Sequence, residues 1–342
     1  MTLTAQTLRP LGTTGLTVTA LGVGSAPLGG LYGDVTQAEA LEMLNTAWSL
    51  GIRYFDTAPM YGRGRAEHLV GHMLRDRDAG YTLSSKVGRL MQRARPGRML
   101  PPAQERQRPG PTWHNSLSFR DVYDYSYDGI LRSYDDSLQR LGVERIDMLY
   151  VHDIGRATHG PYQDGHWQAL TSGGGFRALE QLRAAGQISG YGIGANEWQV
   201  MRDALEETDL DCCLLAGRYS LIDRDAEAEF LPLAQRRGVA LVLGGVFNSG
   251  ILAADAEAPQ MFNYVAAAPE VVARANALRR VCADHGVAMG AAAIRFPMRH
   301  PAVACVVIGA TSAAQIRQNV AWFSSELPEA LWFDLDAALA MA

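Results

Sequence analysis

IDMLYVH (146–152), FRALEQLRAAG (176–186) and ISGYGIG (188–194) decide the fold. The first is a short, continuous apolar run, as expected of a strand buried on both faces. The second carries its apolar residues at helical spacing, and the third is again strand-like. A strand, a helix and a strand in direct succession place the two strands parallel.

The same unit recurs in both directions along the chain. Upstream, ALGVG (20–24) precedes TQAEALEMLNTAWSLG (36–51), IRYFD (52–56) precedes AEHLVGHML (66–74), and TLSSK (82–86) precedes SYDGILRSYDDSLQRLG (126–142). Thr36 with Glu39 three residues on reads as a capping box, and Gly51 as the helix stop. Downstream, ISGYGIG (188–194) precedes WQVMRDALEE (198–207), DCCLLAG (211–217) precedes AEAEFLPLAQRRG (226–238), VALVLGG (239–245) precedes EVVARANALRRVCADHG (270–286), and AVACVVIG (302–309) precedes SAAQIRQNVAWF (312–323). Eight strand–helix units in one chain predict an α/β fold, a (β/α)8 TIM barrel. A doubly wound sheet would show GxGxxG after its first strand, and LGVGSAPLGG (21–30) has only scattered glycines. LRPLGTTGLTVTALG (8–22) reads as a β-hairpin turning at Thr14-Gly15 and plugging the barrel bottom. No linker interrupts the pattern, so one domain over 1–342 is expected.

Residues 87–118 interrupt the third unit. This long loop after strand 3 carries Arg89, Arg93, Arg95, Arg98, Arg106 and Arg108 against a single acid, Glu105. Loops of this length are lids, binding loops or solvated insertions, and this one follows a strand on the face where barrels place active sites.

The 342 residues are 48% hydrophobic and 20% charged, enough apolar surface to bury a core. A net charge of -5 gives no footprint for nucleic acid. No stretch of roughly 18 apolar residues predicts a membrane span, and no signal peptide is visible at the N-terminus. The expected location is cytoplasmic, with a small-molecule substrate as partner and the oligomeric state open. Cys212, Cys213, Cys282 and Cys305 have neither CxxC nor metal-ligand spacing, so buried free thiols and no metal are expected. Of the 31 basic residues, one is lysine: Lys86. A compact point charge is what arginine cannot supply.

Asp56, Lys86 and His152 end the second, third and fourth strands, and Tyr61 lies five residues beyond Asp56. Singly, each is an ordinary capping, core or packing residue. Together they form a proton-transfer set. Lysine beside a phenol favours the phenolate, and aspartate keeps the lysine charged. The reading therefore expects Tyr61 to exchange a proton near neutral pH while His152 hydrogen-bonds the reacting oxygen.

These residues resemble the aldo-keto reductase superfamily, over nearly the whole chain from RPLGTTGLTVTALGVGS (9–25) to IGATSAAQIRQN (308–319). DTAPMYG (56–62) is similar to the family's Asp-Thr-Ala-x-x-Tyr-Gly, and SSK, YVHD and GIGANEW fall in order at the expected strands. The resemblance implies a nicotinamide cofactor and the roles just given to Asp56, Tyr61, Lys86 and His152. It implies that Gly24, Ser25, Ala26 and Asp56 adjoin the cofactor and that Asn196 bonds its carboxamide. Phe247, Asn248, Ser249 and Gly250 should run along the pyrophosphate, and Ile308, Gly309, Ala310, Thr311, Gln315, Gln318 and Asn319 should hold the adenosine end. Gly309 and Gln315 stand where NADP-preferring members carry charge, which favours NAD over NADP, with Arg317 nearby. The nicotinamide-stacking aromatic of the family would fall near Gly244, which cannot supply it.

LLAGRYSLID (214–223) and LGGVFNSGIL (243–252) look most like the aldose 1-dehydrogenase branch. That implies oxidation of an aldose hemiacetal, of the L-fucose or D-threo-aldose type, to a lactone, with Tyr61 as base. Oxidation of pyridoxal to its lactone is the alternative, and NADPH-dependent aldehyde or ketone reduction a third. A regulatory barrel and Schiff-base chemistry on Lys86 are the readings outside this chemistry. Tyr32, Met60, Trp113 and His114 are the pocket candidates.

Overall fold

The computed structural model describes residues 3–31, 33–77, 80–93, 113–255 and 257–341. Eight parallel strands close a barrel: β3 (Leu21–Gly24), β4 (Tyr54–Asp56), β5 (Thr82–Val87), β8 (Met148–His152), β9 (Gly190–Ala195), β10 (Cys212–Ala216), β11 (Ala240–Gly244) and β14 (Val303–Ile308). They follow one another around the barrel in chain order, and β14 closes on β3. All eight were expected within one or two residues of these bounds.

The first helix, Gln37–Ser49, starts with the capping box expected from Thr36 and Glu39. The bottom hairpin is also present: β1 (Leu8–Pro10) pairs antiparallel with β2 (Thr17–Thr19). Leu11 and Val18 from this hairpin join Tyr54, Met148, Tyr150, Cys212 and Val242 in a core inside the barrel. Thr13 Oγ1 donates to Asp211 Oδ1 at 3.1 Å and Arg9 Nη2 to the Val303 carbonyl at 3.3 Å, tying the plug to strand starts. A larger core lies between strands and helices.

Residues 87–118 depart from the single unstructured loop expected. Their flanks form a ribbon, β6 (Arg89–Arg93) against β7 (Phe119–Tyr123), antiparallel over five residue pairs. The density of Arg and Pro hid the strand pattern of Arg89–Arg93. Residues 94–112, with Arg95, Arg98, Arg106 and Arg108, lie outside the described residues, as does Tyr32. After β8 the chain adds two short helices, Arg156–His159 and Gln163–Leu170, before the expected one at Gly175–Ala184. Between β11 and the helix Pro269–Asp284, a small hairpin, β12 (Met261–Phe262) and β13 (Val265–Ala266), was not foreseen.

Candidate active site

Side chains two apart on a strand share a face. Three neighbouring strands therefore each send two residues into the barrel: Tyr54 and Asp56, Ser84 and Lys86, Tyr150 and His152. Asp56 is registered beside Ser84, and Lys86 beside Tyr150. Lys86 Nζ donates to Asp56 Oδ2 at 2.6 Å and to the Thr57 carbonyl at 2.9 Å. Ser84 Oγ donates to Asp56 Oδ1 at 2.7 Å. Below, the Tyr54 hydroxyl bonds Ser84 Oγ at 3.0 Å and the Tyr150 hydroxyl at 3.1 Å, and Tyr150 reaches Cys212 Sγ at 3.4 Å. The aspartate is thus held from two sides, by the expected Lys86 and by Ser84, which like Tyr54 and Tyr150 was not singled out in the sequence. The alternation along β4, β5 and β8 was the signal that would have found them.

Tyr61 comes from the loop after β4. Lys86 Nζ lies 4.7 Å from its ring centre. The His152 ring stands edge-on to it at 6.0 Å, and Trp113 lies tilted against it at 5.8 Å. The four expected catalytic candidates are thus brought together, with Trp113 beside them. Met60 faces Arg89, its Sδ against Nη1. His114 is exposed, and its backbone N–H donates to the Gly30 carbonyl at 2.9 Å.

The electrostatics correct one expectation. Burial pushes the Tyr61 hydroxyl up to about 12, with Asp56 and Asp153 adding to the rise, although Lys86 pulls the other way through its charge and a hydrogen bond. Desolvation outweighs one lysine, so Tyr61 is a phenol at neutral pH. Lys86 is raised: burial opposes its charge, but Asp56 and Tyr61 more than offset that. His152 is held well below its ordinary range by burial and by the charges of Arg89 and Lys86, so it is neutral. Among the described residues its Nδ1 is buried without a partner.

Two charged residues at the mouth were missed. Arg89 is 5% exposed and pairs through Nη2 with Asp153 Oδ2. Asp153 Oδ2 lies 3.6 Å from His152 Nε2. In the sequence Asp153 stands in YVHD with no expected role, and Arg89 is one of the loop arginines. Their positions just past strand ends were the available signal.

Of the expected cofactor residues, Gly24 and Ile308 end β3 and β14, Asn196 follows β9, Phe247 to Gly250 follow β11, and Gln315, Gln318 and Asn319 lie on the helix Ala313–Ser324. Asn196 Nδ2 donates to the Ala216 carbonyl at 2.9 Å, and Arg218 Nε to the Asn196 carbonyl at 3.0 Å. Asn248 and Ser249 adopt left-handed backbone, φ 46° and 60°. Ser249 Oγ accepts from the Tyr264 backbone N–H at 2.9 Å, and Tyr264 comes within hydrogen-bonding reach of Asn196. This tyrosine, at the turn of the β12–β13 hairpin, is a further residue the sequence reading missed. Among the described residues Ser25 Oγ and Asn248 Oδ1 are buried without partners, as fits groups that await a ligand's polar atoms. Gln315 Oε1 accepts from Thr311 N at 2.8 Å and from Thr311 Oγ1 at 3.0 Å. A Cβ on Gly309 would lie 2.5 Å from Pro27 Cγ, so packing alone excludes a larger side chain there. Phe247 is half-buried, edge-on to Trp322 at 6.2 Å, and Asn319 is buried. Among the described residues no cluster of His, Cys, Asp or Glu could hold a metal, and the four cysteines are free and buried.

A parallel barrel with a buried lysine–aspartate pair, a phenol and a neutral imidazole at its strand ends defines an oxidoreductase built for proton transfer at a carbonyl or carbinol oxygen. The Aldo/keto reductase family model matches residues 20–340, and the chain belongs to that family of nicotinamide-dependent oxidoreductases. It is 59% identical over 335 residues to pyridoxal 4-dehydrogenase of Microbacterium luteolum, covering 98% of each chain. It is 35% identical over 330 residues to D-threo-aldose 1-dehydrogenase of a Pseudomonas species, covering 95% of each. Among solved structures it resembles the holo form of an aldo-keto reductase from Bacillus halodurans, with TM-score 0.72 and 25% identity over 97% of this chain and 96% of that one. No helix among the described residues is long and apolar enough to cross a membrane.

Proposed function

We propose that this protein oxidises the cyclic hemiacetal of pyridoxal to its lactone, with NAD as hydride acceptor. The observation that carries the substrate is the 59% identity with pyridoxal 4-dehydrogenase over 98% of both chains. The aldose hemiacetal, first favoured from the sequence, is the second reading. It rests on the 35% identity with D-threo-aldose 1-dehydrogenase. Both substrates present the same reacting group, a ring carbon bearing one hydrogen and one hydroxyl.

Tyr61, His152, Lys86 and Asp56 divide the work as follows. His152, neutral, donates a hydrogen bond from Nε2 to the hemiacetal oxygen and fixes its place beside Tyr61. The hydroxyl proton passes to the Tyr61 oxygen while the C–H electron pair leaves as hydride and the carbonyl forms. Lys86 stabilises the phenolate that must precede this step. Asp56 holds the ammonium in position and offsets its burial cost. When bound, the nicotinamide supplies the hydride acceptor. Asn196 would hold its carboxamide, Ser25 and the 247–250 segment its phosphates, and Gln315 its adenosine ribose. The uncharged Gln315 and the closed packing of Gly309 on Pro27 favour NAD. A 2′-phosphate would find no charge-assisted bond at either position.

The test is formation of reduced cofactor, followed by absorbance, with NAD or NADP against pyridoxal, L-fucose, D-arabinose and L-galactose. Selective turnover of pyridoxal with NAD, and lactone as product, is expected. Preference for a sugar moves the protein to the aldose reading. Turnover only as NADPH-dependent reduction of simple aldehydes defeats both. Gln315→Arg should raise the NADP-to-NAD ratio of kcat/KM, and an unchanged ratio removes Gln315 from cofactor choice.

A further inference from the structure

Asp153 immediately follows His152 and is the residue at which the β8 backbone turns left-handed, φ 50°. A non-glycine residue in that region is strained, and such strain collects at working sites. Its backbone N–H is fixed to the Gly194 carbonyl at 2.9 Å. The turn aims the side chain back over the barrel mouth, where it is 17% exposed. One carboxylate oxygen, Oδ2, is spent on Arg89 and lies 3.6 Å from His152 Nε2. Among the described residues no hydrogen bond engages the other oxygen, Oδ1, and that atom is not among the buried unpartnered ones.

Arg89 holds this carboxyl group. It is 5% exposed, with Asp121 Oδ2 3.8 Å away on its other side and its guanidinium carbon 4.9 Å from the Tyr123 ring centre. A guanidinium so held cannot swing out to solvent. Its charge opposes the burial that raises the Asp153 carboxyl, and its hydrogen bond orients that side chain, leaving Oδ1 without a hydrogen bond among the described residues.

Resting on the hemiacetal reading above, we propose that Asp153 is a substrate-binding residue that accepts a hydrogen bond from a second hydroxyl next to the hemiacetal hydroxyl, and that Arg89 is its positioning residue. Both candidate substrates carry such a group: the ring 3-hydroxyl of pyridoxal, bound in its protonated form, and the 2-hydroxyl of an aldose. His152 and Asp153 are adjacent in sequence and their polar atoms are neighbours in space, so one takes the reacting oxygen and the other the oxygen beside it. The pair fixes which face of the ring carbon is presented to the cofactor. Simple aldehydes lack the second hydroxyl and forgo this contact.

The test compares wild type with Asp153→Asn, a change that keeps the shape and tolerates the left-handed backbone. Each is assayed with pyridoxal, with its 3-deoxy analogue, with an aldose and its 2-deoxy analogue, and with a simple aldehyde in reverse. Wild type should lose on the order of 10-fold or more in kcat/KM, mostly through KM, on removal of the hydroxyl of whichever ring it oxidises. That matches loss of a hydrogen bond to a charged group. In Asp153→Asn this penalty should shrink towards unity, while quenching of protein fluorescence by NADH remains near wild type; aldehyde reduction reports any change passed through Tyr61 alone. Arg89→Lys should behave as a milder Asp153→Asn, with raised KM and retained kcat. A deoxy penalty equal in wild type and Asp153→Asn overturns the assignment while leaving the hemiacetal reading intact. Loss of NADH quenching together with all activity overturns it in favour of a purely structural role. A wild type that oxidises neither ring defeats the hemiacetal reading and the inference with it.

Discussion

Tyr61 keeps its proton because burial costs its phenolate more than Lys86 returns, which places its titration at about 12. The sign of the pH effect follows. Oxidation needs the deprotonated form, so kcat/KM for oxidation should keep rising across the alkaline range towards that value. Reduction uses the phenol and should stay level over the same range. His152, neutral through burial and the nearby Arg89 and Lys86 charges, adds no limb near neutrality. Tyr61→Phe should lower turnover by on the order of 10²- to 10⁴-fold, the usual scale of acid–base catalysis, and abolish the alkaline rise. NADH binding, read by fluorescence, should survive. An alkaline rise that persists in Tyr61→Phe would assign the titrating base elsewhere. The four polar residues of this set were legible because Asp56, Lys86 and His152 end or nearly end successive strands and Tyr61 follows Asp56 by five residues. The direction of the Tyr61 shift was not, because desolvation depends on how closely Trp113, His152 and the loop pack around it.

The helix Arg65–Leu74 is fastened to the barrel by a charge that sequence alone does not flag. Glu67, fully buried, accepts from Ser85 Oγ at 2.7 Å and from Arg140 Nε at 2.5 Å. Arg140 belongs to the next helix, Tyr127–Leu141. Gly71 makes that approach feasible, since a Cβ there would sit 1.9 Å from the Leu141 carbonyl oxygen. Arg140→Ala leaves the Glu67 carboxylate buried and short of its cation. It should cost about 3–5 kcal/mol, measured as a shift in the urea midpoint at unchanged slope. A shift below about 1 kcal/mol would show that this pair behaves as a surface bridge does. Elements with a mixed pattern were the legible ones. Met289–Arg295 was not, because Met289 to Ile294 are all buried, and a segment apolar all round has no stripe to read. Glu329–Met341 was passed over because it follows the last expected unit, and the β12–β13 strands are two residues each, too short for alternation to register.

At the scale of the whole molecule, the barrel was legible because its closure repeats one unit eight times, and the insertions were not because each occurs once. The insertion after β8 ties its own titration to folding. Tyr125 donates from its hydroxyl to the His152 carbonyl at 2.7 Å and bonds His159 Nε2 at 3.0 Å. His159 lies 4.2 Å from His166, ring centre to ring centre, and edge-on to Tyr123 at 4.5 Å. Burial first, then the charges of His166 and Arg89, push His159 from 6.5 down to about 4. The unfolded chain takes up this proton as pH falls through 6.5, whereas the folded chain refuses it until about 4. Acidification across that window therefore favours unfolding. The contribution is complete above 6.5 and is lost progressively towards 4, so Tm should fall between these values. His159→Gln has no proton to take up and retains an amide that can reach Tyr125. Its Tm should fall less steeply over the same window, even if it starts lower at neutral pH. Wild-type and His159→Gln curves that run parallel from 6.5 to 4 would place the acid sensitivity in the other histidines that burial lowers, His152, His166 and His300, since Asp147 and Asp153, raised by burial, oppose it.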